Sequence, residues 1–205
     1  MLNFTVSKTN LIMFPWVRNT LVAEDTQPCI SGVFNVKFVL NAESQSDSEE
    51  IVDHSFIDAY AGMIADLFRD TNIVWDKDEA GRTVAKSIHE SYPRTRILTT
   101  PYNPTMENVA GMFYAIMHRV LCASNFTNSE DPDLCLVSVV LEDVTRGHSA
   151  ECTQWAHEGR YMKNGAQFHW TESITDLSEF DVVSLFTEDV RIGVPVAGTT
   201  VDKYE

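Results

Sequence analysis

No apolar run in this 205-residue sequence approaches the ~20 residues that a bilayer-spanning helix needs. The opening residues, MLNFTVSKTN, lack the basic start and apolar core of a secretion signal. Cysteine is sparse: Cys29, Cys122, Cys135 and Cys152 are widely spaced, with no CxxC pair. That argues against a zinc knuckle or a small disulfide scaffold, and for reduced thiols in a cytoplasmic protein. Positive charge is also scarce. Fifteen Lys and Arg face 30 Asp and Glu, for a net charge of −15. Such a surface repels nucleic acid and anionic lipid unless a basic patch overrides it. Along the chain the nearest thing to one is the scattered set Arg82, Lys86, Arg94 and Arg96. Neither nucleic acid nor a membrane is expected as a partner.

What is present suffices for one ordinary domain with an extension, at 44% hydrophobic residues. Leu2 to Met13 mixes β-branched and apolar residues. Phe34, Val36, Phe38 and Leu40 alternate with Asn35, Lys37, Val39 and Asn41, the period of a half-buried strand. A helix is expected after Asp53, with Ile57, Tyr60, Ala61, Ile64, Leu67 and Phe68 recurring at three and four. Asp76 to Gly81 reads as a turn, and Thr83 to Glu90 as a short helix or strand. PYNPTMENVAGMFYAIMHRVL, from Pro101, carries a second helix. Asn103 is the expected cap, Pro104 the first helical residue, Glu107 a first-turn anion, and Val109, Met112, Phe113, Ile116, Met117 and Val120 one apolar stripe. Leu134 to Leu141 reads as a buried strand, and Ala150 to Tyr161 as its hairpin partner.

The order strand, strand, helix, helix, strand, strand predicts an α+β layer. Together with four segments, it resembles the 6-pyruvoyl-tetrahydropterin synthase and 6-carboxy-tetrahydropterin synthase family. NPTMEN (Asn103 to Asn108) is similar to that family's NPTxEN helix start. IVDHSFIDAYAGMI (Ile51 to Ile64) is similar to its VVDF segment, with Asp53 on the aspartate. VSVVLEDV (Val137 to Val144) resembles the strand ending in Glu-Thr, with Glu142 on the glutamate. PCISGVFNVKFVL (Pro28 to Leu40) resembles its cysteine, His-Gly-His and following strand.

The resemblance implies a tunnelling fold over residues 1–161: an antiparallel four-stranded sheet in the order β-β-α-α-β-β, with helices on one face. Residues 162–205 are then a C-terminal extension, with short strands expected at Val182–Phe186 and Ile192–Val196. It also implies a homo-oligomer, a trimer or a hexamer, with a pterin or guanine-like ring held by Glu142. A flat ring with adjacent N–H donors suits a bidentate carboxylate. Cys29 falls at the family's proton-transfer cysteine, and Asp70 at the aspartate of its Asp-His pair; here Thr71 follows.

The zinc pattern departs from the family. His-Gly-His reads Ser31, Gly32, Val33, and Phe4 to Leu11 holds no histidine. Zinc is expected for the family and not for this chain, because these residues supply no imidazole. His148 and His157 are nine residues apart, which puts them on opposite faces of a strand. The Lys8–Thr9 dipeptide matches the lysine–threonine pair with which urate oxidase handles a purine-like ring without a metal, though such dipeptides are common.

Three readings follow. One is a divergent pterin-synthase-like protein that lacks the zinc-dependent lyase reaction and binds a pterin- or purine-like ring through Glu142. Another is an active synthase with a rearranged site. The third is an interaction protein that keeps the fold for assembly. For Glu142 the alternative role is a solvated carboxylate at a strand end.

Overall fold

A computed structural model describes residues 2–18, 32–42, 54–100, 102–123, 134–153 and 169–170. Strand β1 (Leu2–Pro15) pairs antiparallel with β2 (Gly32–Ala42). Helix α1 (His54–Phe68) follows, then β3 (Thr71–Trp75), α2 (Glu79–Ser91), β4 (Arg96–Thr100) and α3 (Met106–Ala123). The hairpin β5 (Leu134–Asp143) and β6 (His148–Thr153) comes next, and β7 (His169–Trp170) completes the described strands. The sheet order is β6-β5-β2-β1-β3-β4-β7.

This corrects the expected four-stranded antiparallel sheet. The four anticipated strands are there, as β6-β5-β2-β1, antiparallel throughout. Beyond them the sheet continues. Phe14 and Pro15 at the end of β1 pair parallel with Asn72 and Ile73, and β3 pairs parallel with β4 over its whole length. The sheet is therefore mixed, and β3-α2-β4 is a parallel unit inserted between α1 and α3. TNIVW and RILTT escape pattern reading because they are five residues long and have no alternation. Four of the five β3 residues are buried, as befits a parallel strand covered on both sides.

Helices on one face alone is the second correction. Neighbouring residues of a strand point to opposite faces. Ile73 and Leu98 join the core made by α1 and α3, whereas Val74 and Ile97 join Trp16, Ala85 and Ile88. Ala85 and Ile88 belong to α2, so α2 covers the opposite face at the β3-β4 end. Over β6-β5-β2-β1 that second face carries no described helix.

The main core follows the expected stripes. Ile57, Tyr60, Ala61, Ile64, Leu67 and Phe68 of α1 are buried, as are all six apolar stripe residues of α3. Phe113 of α3 lies 4.2 Å from Phe68 and 6.3 Å, edge-on, from Phe38, tying both helices to β2. Tyr114 is buried too, and its hydroxyl donates to the Leu136 carbonyl at 3.0 Å.

The start of α3 differs from expectation. The helix begins at Met106, and the Val109 N–H bonds to the Thr105 carbonyl. Asn103 is not its cap. Its side chain instead binds the backbone of Arg18, accepting from Arg18 N at 2.9 Å and donating to Arg18 O at 2.6 Å. Asn108 donates to the Asn103 carbonyl at 2.7 Å and so steadies the loop. The sequence NPTMEN ties the segment just after β1 to the entry of α3.

The expected Asp53 cap, the 161/162 boundary and the strands at 182–186 and 192–196 lie outside the described residues. So does the Gln154–Tyr161 part of the returning strand.

Candidate functional site

Glu142 is the next-to-last residue of β5. Its position is fixed by the hairpin that follows. Buried Asp143 accepts from the Thr145 and Arg146 N–H groups at 2.9 and 3.1 Å, which closes the turn. Gly147, with φ +68°, supplies the left-handed residue, and its N–H bonds to the Asp143 carbonyl. Leu141 points into the core, so Glu142 points to the face away from α1 and α3. It is directly opposite Asn35 of β2 and Ser149 of β6.

Lys37, two residues along β2, reaches it diagonally. The Lys37 ammonium lies 2.5 Å from Glu142 Oε1, with both side chains about one-third exposed, 39% and 33%. This hydrogen bond holds the Glu142 carboxyl below the usual carboxylate range, its charge attraction and an Asn35 hydrogen bond add to that, and burial opposes them. Asn35 is itself oriented. Its Oδ1 accepts from the Asn10 N–H at 3.2 Å, where β1 bulges and Asn10 takes φ 57°. An ionised carboxylate has about four acceptor positions, and Lys37 occupies one of them.

The other expected site residues do not gather around Glu142. Asp70 sits in the turn between α1 and β3, exposed, with φ 55°. Its N–H donates to Ile12 O at 2.9 Å, and its carbonyl accepts from Arg96 N at 3.1 Å. Strands β1 and β2 separate β3 from β5. Lys8 turns to the α1 side, with its ammonium 2.7 Å from Asp58. Val33 is in β2, partly buried. Cys29, Ser31 and His157 lie outside the described residues, and His148 is exposed at the start of β6. Among the described residues, no three His, Cys, Asp or Glu side chains come together as a metal site would require.

Sequence reading missed a second feature. Arg82 and Lys86 are one helical turn apart on α2, and with Lys77 and His89 they line a cavity of about 660 Å³ against β4. The linear sequence grouped Arg82 and Lys86 with Arg94 and Arg96. Arg96 instead turns to the end of α1, donating to Asp66 O at 2.6 Å, and Arg94 does not line the cavity. The i, i+4 spacing of Arg82 and Lys86 was the available signal.

No protein-family model matches this sequence, and no curated protein matches it. Among the described residues no helix is long and apolar enough to cross a membrane.

Proposed function

We propose that this chain is a divergent pterin-synthase-like protein of the cytoplasm. On this reading it binds a pterin- or purine-like ring at Glu142 and does not run a zinc-dependent lyase reaction. The observation that carries it is the state of Glu142: ionised, and held by Lys37 and Asn35 on the sheet face that carries no described helix. A ring that offers two adjacent N–H groups needs a fixed, charged acceptor with free lone pairs. The four resembling segments in the same order as in that family add to this support. The loss of His-Gly-His at Ser31 to Val33 removes the usual Lewis acid, so proton abstraction beside a metal-bound oxygen has no counterpart.

The proposal includes assembly as a homo-oligomer, a trimer or a hexamer. Strand β6 is an edge of the described sheet, and Val137 and Val144 nearby are exposed. An edge of this kind is covered when a second subunit pairs with it.

Calorimetric titration with a reduced pterin and with guanine tests the ring site. Wild type is expected to bind one of them, and Glu142→Ala to lose it. Absence of binding in wild type would sink the ring-site proposal and favour the assembly role.

A further inference from the structure

We infer that the cavity between α2 and β4 binds a small organic phosphate, with its phosphoryl group between Arg82 and Lys86. This goes beyond the Glu142 reading and rests on different elements, since Glu142 lies over β2 and β5.

The charge distribution is the first ground. The chain carries twice as many acids as bases. Elsewhere, Lys8, Lys37, Arg69 and Arg146 each have a carboxylate within 4.0 Å. Arg18, Lys77, Arg94 and Arg96 have no ion pair among the described residues, and neither do the two bases of α2; what sets Arg82 and Lys86 apart is that they stand one turn apart on one helix beside the same cavity. Arg82 donates to the main-chain carbonyl of Asp76 at 3.1 Å and has no carboxylate partner among the described residues. Lys86 has no ion pair among them either, although Glu90 stands one turn further on. Like charges at i, i+4 cost a helix a few tenths of a kcal/mol. An anion lodged between them turns that repulsion into a bridge.

Shape is the second ground. At about 660 Å³ the cavity falls within the range of small-molecule sites, and it exceeds what a bare phosphate fills. Ile97 offers an apolar wall, and the Thr99 hydroxyl a further polar contact. Lys77, 5.8 Å from the centre of the Trp75 ring, completes the positive rim on the side of the α2 N-terminus. His89 holds its ring by donating from Nδ1 to the Thr95 carbonyl at 2.6 Å, which fixes its place on the wall.

The same cavity holds two acids, Asp76 and Glu79. Glu79 lies three residues before Arg82, one helical turn away, and seven before Lys86, roughly 10 Å along the helix, so the phosphoryl group sits toward the Lys86 end. Carboxylates there oppose a second phosphate and accept from hydroxyl groups. The ligand class is therefore a phosphate monoester on a hydroxylated carbon skeleton. A fork-shaped guanidinium and an ammonium together suit the three oxygens of such a group.

The experiment is calorimetric titration of the full chain with ribose 5-phosphate and, separately, with inorganic phosphate. Ribose 5-phosphate is expected to bind saturably at one site per chain, and more tightly than inorganic phosphate. Arg82→Gln and Lys86→Gln are each expected to weaken it about tenfold. Lys86→Glu is expected to abolish it, and Glu142→Ala to leave it unchanged. Arg82 and Lys86 are exposed, so these variants should keep the wild-type melting curve. Equal affinity for both probes would mean an adventitious ion only, and would overturn the inference. So would no saturable binding by wild type, or α2 variants that bind as wild type does.

Discussion

Asn103 and Arg18, 85 residues apart, are joined by two hydrogen bonds that satisfy both backbone groups of Arg18 with one amide side chain. An amide is the one small side chain with a donor and an acceptor so placed. Removing it leaves a part-buried N–H and carbonyl without their partner. Asn103→Ala is expected to cost about 2 kcal/mol, at roughly 1 kcal/mol per hydrogen bond. Asn103→Asp should cost more, because it sets an oxygen against the Arg18 carbonyl. Denaturant midpoints decide it: an Ala variant within about 0.5 kcal/mol of wild type would refute the clasp.

The ion pair of Lys37 and Glu142 makes a pH prediction. The folded-state pKa of Glu142 is depressed, chiefly by the Lys37 hydrogen bond. Its contribution is therefore present above the unfolded carboxylate pKa and is lost as pH falls through the folded value. Lys37→Met should move the Glu142 titration upward, toward the ordinary glutamate range. The stability gap between wild type and variant should close on acidification. Carbon-detected NMR of the Glu142 carboxyl reads this directly, and an unmoved midpoint in the variant would contradict it.

Gly81 and Asp78 are coupled. Asp78, 1% exposed, caps α2 by accepting from Gly81 N at 3.2 Å. A Cβ on Gly81 would meet Asp78 Oδ2 at 2.5 Å. Glycine to alanine in a helix ordinarily gains up to about 1 kcal/mol. Here the gain should be cancelled, because the new methyl dislodges a cap worth about 1 kcal/mol. In the Asp78→Ala background, Gly81→Ala should recover its ordinary stabilising effect. A double-mutant cycle measures this, and additive effects would rule the coupling out.

Asp70 serves the fold through its backbone. Left-handed geometry costs a non-glycine residue about 1 kcal/mol, and its N–H and carbonyl bridge β1 and β4 whatever the side chain. Asp70→Gly should hold or raise the melting temperature, by up to about 1 kcal/mol of stability, and Asp70→Val should lower it. A marked loss in the glycine variant would assign the carboxylate a part that the turn does not explain.

These sites mark how far the sequence could be read. Helices α1 and α3 were legible because their apolar residues repeat at three and four over about three turns each, and every stripe residue is buried. Alternation in Phe34 to Asn41 announced β2 in the same way. Of the insertion β3-α2-β4 only Thr83 to Glu90 was marked, as a short helix or strand, and its two strands were not legible. Its strands are short and buried on both sides, so they lack alternation, and α2 is mainly polar, with only Gly81 and Ala85 buried. Asn103 was misread for a related reason. A local rule for capping assigned a side chain that a partner 85 residues away had claimed. Glu142 was picked out by the resemblance of VSVVLEDV to the pterin-synthase family's strand end, but its pairing with Lys37 depends on the register of β2 against β5.

The central claim is that the Glu142 carboxylate is a binding group and not simply the partner of Lys37. It is tested most directly by titrating a reduced pterin into wild type, Glu142→Gln and Lys37→Met. Glu142→Gln is expected to weaken binding on the order of a hundredfold, since about two charge-assisted hydrogen bonds are lost. Lys37→Met should keep most of the affinity, because the carboxylate remains. Equal binding by wild type and Glu142→Gln, or loss only in Lys37→Met, would contradict it.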